Sequence, residues 1–137
     1  MKSVIAFLAF TVFASPALAQ DEPDCTDPTT QMDMTACAVI DYNKADTVLN
    51  EVWAEAIAEA KNFDILDTID DGRPGYEETL RSAQRAWIAF RDASCNYEGY
   101  FARGGTMEPM LVNQCLARLT GERTKQLRQL IQDMGNQ

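Results

Sequence analysis

The 137-residue chain carries 21 acidic and 12 basic side chains and no histidine, for a net charge of −9. Without histidine there is no Ser-His or Cys-His nucleophile and no imidazole general base, so an enzyme is the minority hypothesis. The negative charge disfavours nucleic acids and anionic membranes as partners, because both are bound through basic patches. We therefore predict a protein that is not an enzyme and needs no cofactor.

The first twenty residues have the pattern of a cleaved secretory signal. One lysine precedes an apolar run from Val4 to Ala14, and small residues predict cleavage after Ala19. The apolar run is too short for a permanent anchor, and no cysteine stands at the cleavage point to carry a lipid. We expect residues 1–19 to be a signal peptide and residues 20–137 to form one periplasmic or secreted domain, with no membrane anchor.

The first predicted helix follows a polar, proline-containing lead-in. Apolar residues at steps of three and four predict helix one over about residues 31–62. Thr30 with Asp33 three residues later resembles a capping box, which marks where a helix begins. Glycine and proline then interrupt the pattern and predict a loop over residues 64–75.

Two further helices follow this loop. Helix two is predicted over residues 76–103 and ends at Gly104-Gly105. Thr106 is expected to cap helix three over residues 107–134, which Gly121 weakens and could bend or split. Helix two carries an apolar stripe made of Ala83, Ala86, Phe90, Ala93, Tyr97 and Phe101. Since no strand-like alternation occurs, the predicted fold is all-α with three main helices.

Four cysteines, Cys25, Cys37, Cys95 and Cys115, predict two disulfides in an exported chain. A zinc site is the alternative, but it is disfavoured because there is no C-x-x-C pair and no histidine. The short Gly-Gly turn makes helices two and three antiparallel neighbours. With Gly105 at the midpoint, facing residues have numbers that add to about 210. Cys95 then faces Cys115, which leaves Cys25 for Cys37.

The same register predicts three further contacts between helices two and three. They are an ion pair, a cation–π contact and a core contact: Asp92 with Arg118, Trp87 with Arg123, and Leu80 with Leu130.

Two charged residues lie on helix faces that are expected to face the core. Arg91 shares a line with Trp87 and Cys95 in helix two, and Asp46 lies on the apolar line of helix one. A charge on such a line is costly unless it is paired. We predict that Asp46 and Arg91 meet, with Asn50 beside them. A structural ion pair is preferred over a shallow binding pocket.

The negative charge is unevenly distributed. Residues 20–78 hold 16 acidic and three basic side chains, whereas residues 79–137 hold five and eight. Without Lys2, which leaves with the signal, the net charge is −10. This distribution fits a cationic protein partner that is attracted over distance, although solubility alone also explains the net charge.

Residues 67–78 partly match a calcium-binding loop, with Asp67, Asp71, Gly72 and Glu78 at allowed positions. Ile69 stands where a ligand is required and Pro74 where an apolar side chain is usual. No metal site is therefore predicted.

Three segments resemble the lysozyme inhibitor LprI N-terminal-domain family: "TQMDMTACAVIDYNKADTVLN", "LRSAQRAWIAFRDASC" and "CLARLTGERTKQL". The most specific element is Trp-x3-Arg-Asp-x2-Cys, formed by Trp87, Arg91, Asp92 and Cys95. The remaining matches are Asp46, Leu49, Asn50, Cys115, Thr120 and Arg123.

This resemblance implies an exported all-α domain with two disulfides that inhibits lysozyme, a cationic protein. The alternative function is a structural or interaction module of the envelope without inhibitory activity. A carboxylate-dependent enzyme is a more distant third.

Overall fold

The computed structural model describes residues 23–136, which are largely helical and contain no strand. The order is α1 (Gln31–Leu66), α2 (Tyr76–Gly99), a short 3-10 helix (Tyr100–Ala102) and α3 (Glu108–Gly135). The predicted three-helix, all-α fold is confirmed. The predicted signal peptide lies outside the described residues. None of the helices described between residues 23 and 136 is long and apolar enough to cross a bilayer.

Helix α1 begins as the sequence indicates. The Thr30 hydroxyl oxygen accepts a hydrogen bond from the backbone N–H of Asp33 (3.1 Å), and the hydroxyl donates to the Asp33 carboxylate (2.7 Å). This satisfies one of the N–H groups that the first turn leaves without a partner. The helix runs four residues beyond its predicted end, because Phe63–Leu66 contain no helix breaker, and the N–H of Asp67 bonds to the Phe63 carbonyl.

Replacing Thr30 with Ala is expected to lower the free energy of unfolding by about 0.5–2 kcal/mol, because the cap is lost. Urea unfolding measures the loss. Thr29→Ala is the matched control, since Thr29 is exposed just before the cap, and should change stability by less than about 0.5 kcal/mol. Equal losses in both variants would contradict the capping role.

Helix α3 begins differently from the prediction. Met107, not Thr106, occupies the N-cap position and makes no side-chain cap, so the predicted Thr106 cap is wrong. The Glu108 carboxylate instead accepts from the backbone N–H of Gly104 (2.7 Å) and braces the turn before the helix. Gly104 has φ +76°, a conformation that favours glycine. Helix α3 continues unbroken through Gly121.

Both predicted disulfides are confirmed. Cys95 and Cys115 join α2 to α3 with Cα atoms 5.3 Å apart, and both are fully buried. Cys25 and Cys37 tie the lead-in to the second turn of α1, with Cα atoms 5.5 Å apart. One bridge therefore lies inside the bundle, and the other fastens a surface segment to it.

The core lies mainly between α1 and α3, which form the most extensive helix pair. Its centre is a buried cluster of Leu49, Val52, Ala56 and Leu127, with Trp53, Leu80, Trp87 and Ile131 packed against it. Leu80 and Leu130, a predicted contact, line one cleft at the end of this core.

Helix α2 turns its apolar stripe toward solvent and a partly polar line of residues toward the other helices. The line through Gln84, Arg91 and Cys95 is buried, whereas the apolar stripe is exposed to solvent: Ala83, Ala86, Phe90, Ala93, Tyr97 and Phe101. The stripe marks the outer face of α2, not its core face. The disulfide and the polar contacts to α3 decide which face turns inward.

Candidate functional site

Arg91 is the most buried charged side chain of the described chain, with only 8% of the residue exposed. It lies on the inner face of α2, one turn before Cys95. Its Nε donates to Asp92 Oδ1 (2.9 Å) and its Nη1 to Thr120 Oγ1 on α3 (3.3 Å). Nη1 also lies 3.8 Å from Asp46 Oδ1 on α1. A single guanidinium thus connects all three helices.

Aromatic rings complete the surroundings of this guanidinium. The Arg91 Cζ atom lies 5.1 Å from the centre of the Trp87 ring and 5.6 Å from that of Tyr42. Arg123 of α3 approaches the same Trp87 ring at 5.8 Å. It donates from Nε to Gln84 Oε1 (2.9 Å), and burial lowers the pKa of Arg123 below its ordinary value. Cations over aromatic faces gain most where water is excluded.

Asn50 donates from Nδ2 to Asp46 Oδ2 (3.0 Å), so it lies beside the ion pair as expected. We call the connected group the Arg91 cluster: Tyr42, Asp46, Asn50, Trp87, Arg91, Asp92, Thr120 and Arg123. Across residues 23–136 no buried side-chain nitrogen or oxygen lacks a hydrogen-bond partner. The cluster is internally satisfied, which is typical of a structural network.

The predicted ion pair between Asp92 and Arg118 is wrong. Asp92 accepts from Arg91, its neighbour in the chain. Arg118 instead donates to Glu98 Oε2 (2.8 Å) and lies 3.7 Å from Glu122 on its own helix. An arginine side chain spans more than one helical turn, so the backbone register alone does not decide its partner.

A cleft of about 660 Å³ opens at the other end of the bundle, where α1 ends and α2 begins. Its floor is apolar and consists of Ala56, Ala60, Leu80, Ala83, Leu127, Leu130, Ile131 and Met134. Its rim is polar and includes Asp64, Asp67, Asp71 and Arg73. An apolar floor with carboxylates at the edge suits a ligand with an alkyl stem and a positive head, such as a lysine or arginine side chain.

Asp64, near the end of α1, accepts hydrogen bonds from the first turn of α2 beside this cleft. Its two carboxylate oxygens accept from the backbone N–H groups of Tyr76 (2.6 Å) and Glu77 (3.0 Å). A carboxylate is favourable there because helix N-termini carry partial positive charge. A Cβ atom at Gly75 would lie 2.6 Å from Asp64 Oδ1, so a larger residue there would displace the Asp64 carboxylate from these hydrogen bonds. Sequence reasoning missed Asp64 as a cap because it lies twelve residues before Tyr76.

The acidic segment, residues 64–75, projects beside the cleft. It contains four aspartates and one basic residue, Arg73. Asp67 accepts from the N–H of Ile69 (2.9 Å), and Asp71 accepts from the N–H of Arg73 (3.0 Å). A hydrogen bond with Asp67 is the main cause that raises the pKa of the Tyr76 hydroxyl.

Residues 67–78, the partial match to a calcium-binding loop, overlap this segment. Within residues 23–136 no three metal-ligating side chains converge on one point. The Asp71 carboxylate is already paired with the Arg73 guanidinium. The geometry therefore gives no support to calcium binding.

Comparison with known proteins finds a family match that covers most of the described chain. The family model described as "Lysozyme inhibitor LprI" matches residues 24–127. A protein of Rhizobium meliloti (strain 1021), named only as uncharacterized, is 46% identical over 124 residues, which cover 89% of each chain. No solved structure matches. The matched region includes the Arg91 cluster, both disulfides and the acidic segment.

Proposed function

Because the chain belongs to the lysozyme inhibitor LprI family, we propose that it is an exported protein that inhibits lysozyme by binding the cationic enzyme. It acts by binding, not by catalysis, and uses no cofactor. Its two disulfides favour an oxidising compartment, so we place it in the periplasm or outside the cell.

The acidic segment is the observation that supports this function best. It and the last turn of α1 expose three large apolar side chains, Ile65, Leu66 and Ile69. Four aspartates lie among them in the sequence. Exposed apolar side chains gain free energy when a partner covers them, and surrounding carboxylates select a basic partner. The segment combines both requirements beside an open cleft.

Electrostatic attraction brings the two proteins together. Animal lysozymes are basic, and their substrate cleft is a concave site with two carboxylates. The negative charge of α1 and the acidic segment attracts such a surface over about a Debye length, roughly 10 Å at 0.1 M salt. The apolar side chains then provide the contact that persists after encounter. Inhibition follows because the bound protein covers the cleft.

The direct test is a turbidity assay of bacterial cell-wall lysis by lysozyme, with the purified exported protein added over a salt series. Inhibition should be strongest at low salt and weaken as salt screens the attraction. Absence of inhibition at low salt would remove this function.

Neutralising the acidic segment is expected to raise the inhibition constant about tenfold at low salt, since each exposed pair contributes roughly 0.5 kcal/mol. The variant combines Asp67→Asn, Asp70→Asn and Asp71→Asn, because asparagine can still accept the backbone hydrogen bonds of the loop. The matched control removes three exposed charges elsewhere on α1: Asp41→Asn, Glu51→Gln and Glu55→Gln. If both triple variants lost inhibition equally, net charge and not the acidic segment would be responsible.

The exposed apolar stripe of α2 favours the second candidate function, an envelope interaction module without inhibitory activity. The two functions differ in the lysozyme assay. If inhibition is absent, capture of a defined partner from periplasmic extract by the wild-type protein, but not by a stripe variant such as Tyr97→Glu, would support the module.

A further inference from the structure

The outer face of α2 has the spacing of a coiled-coil seam. Six residues follow one another at alternating steps of three and four, and we call them the α2 seam: Ala83, Ala86, Phe90, Ala93, Tyr97 and Tyr100. The first five lie on α2, and Tyr100 is the first residue of the 3-10 helix that directly follows it. Alternating steps of this kind place side chains on one stripe that faces a second helix. All six are exposed, with Phe90, Tyr97 and Tyr100 at 60%, 71% and 50%. No helix of the described chain covers them, and Ala83 also lines the neighbouring cleft.

The large and small residues of the α2 seam are arranged symmetrically. In an antiparallel pair of α2 helices whose two-fold axis passes between positions 91 and 92, Phe90 faces Ala93 of the other copy. In the same register Tyr97 faces Ala86, and Tyr100 faces Ala83. Every layer then holds one aromatic ring and one methyl group. In a parallel pair, by contrast, aromatic residues face each other in some layers and alanines in the rest, which leaves crowding and voids.

We propose that the α2 seam is the interface of a two-fold symmetric homodimer. A two-fold interface uses the same patch on both copies, so a patch must be complementary to itself. The α2 seam meets that condition through its alternation of aromatic residues and alanines. It also contains no charged residue, so two copies of a chain with net charge −9 can meet there without placing like charges opposite each other.

The surface area that the α2 seam can bury determines the dissociation constant that we expect for this dimer. Complete burial of an aromatic side chain removes about 150–250 Å² from solvent. Covering the exposed parts of the three rings, with the alanines between them, therefore removes roughly 500 Å² per copy. The total, about 1,000 Å², is at the lower limit of specific interfaces. We expect a dissociation constant of roughly 1–100 μM.

Sedimentation equilibrium from about 1 to 500 μM tests the interface across the expected dissociation constant. The average mass should rise from monomer to dimer and stop there. Ala93→Glu should stay monomeric, because it buries a charge opposite Phe90. Ala58→Glu is the control on an exposed site of α1 and should dimerise like wild type. A wild-type monomer at all concentrations, growth beyond the dimer, or dimerisation of Ala93→Glu would overturn the proposal.

A residue exchange within one layer tests the register itself. Ala93→Phe alone places two rings opposite each other, and Phe90→Ala alone leaves two methyl groups, so each should weaken the dimer about tenfold or more. The double variant Phe90→Ala with Ala93→Phe restores one ring and one methyl group per layer. It should regain most of the affinity. If the double variant is weaker than both single variants, this register is wrong.

Discussion

Replacing Arg91 with Met is expected to lower the free energy of unfolding by about 2–4 kcal/mol. Methionine keeps part of the apolar stem but removes the hydrogen bonds to Asp92 and Thr120 and the cation over the Trp87 ring. Because the guanidinium joins all three helices, the loss should appear as a lower urea midpoint of one cooperative transition.

Two variants separate the contribution of Arg91 from a general effect of substitution. Arg91→Lys should be intermediate, since an ammonium cannot reproduce the fork of the guanidinium. Arg85→Met, on an exposed site of the same helix, should change stability by less than about 0.5 kcal/mol. An Arg91→Met protein that unfolds like wild type but no longer inhibits lysozyme would show that the cluster binds a partner instead of supporting the fold.

The acidic partners of Arg91 should contribute less than Arg91 itself. The Asp46 and Asp92 side chains are 40% and 51% exposed, so water stabilises their charges when Arg91 is absent. Replacing either one alone with Asn should cost about 1 kcal/mol, because the other carboxylate still balances the buried charge of Arg91. The difference between the cost of replacing Arg91 and the cost of replacing its acidic partners follows from burial. Only the guanidinium is removed from water, and only its loss leaves a cavity in the protein interior.

The hairpin register could be predicted because covalent and steric constraints agree. The connection between α2 and α3 is short and contains the 3-10 helix and the Gly-Gly turn, so the two helices run antiparallel as neighbours. Cys95 and Cys115 must also face each other to bond. Trp87 and Arg123 meet in the same register. Contacts that depend on backbone position were therefore accessible from residue numbers alone.

Contacts that depend on side-chain reach were not accessible in this way. Arg118 extends toward Glu98, not Asp92, because a flexible side chain can choose among acids within a turn or two. The Asp64 cap of α2 has no signal at its sequence spacing, since it depends on how α1 ends relative to the next helix. Both contacts are consequences of tertiary packing.

The orientation of α2 shows how a cross-link can override hydrophobicity. A helix with Phe90, Tyr97 and Phe101 on one stripe would ordinarily bury that stripe. Here Cys95 turns the opposite side toward α3, and hydrogen bonds satisfy the polar residues Gln84 and Arg91 on it. The stripe is therefore exposed and available for the homodimer that we propose.

Removing the Cys95–Cys115 bridge is expected to cost more than removing Cys25–Cys37, about 3–5 against about 1–2 kcal/mol, measured by urea unfolding of the paired alanine variants. Both bridges restrict the unfolded chain, since they close loops over 12 and 20 residues of sequence. The difference arises in the folded state. Alanines at 95 and 115 leave a cavity where two fully buried sulfur atoms were.

The lead-in explains the smaller cost of the other bridge. Cys25 is exposed, and it and its neighbours Asp24 and Thr26 make hydrogen bonds within the lead-in itself. Without the bridge the lead-in gains freedom in the folded protein as well as in the unfolded one, so part of the entropic effect cancels. We therefore expect the Cys95–Cys115 bridge to contribute more to the free energy of unfolding than the Cys25–Cys37 bridge. Equal losses for the two double variants would contradict this, because they would mean that closure of the unfolded chain alone determines what each bridge contributes.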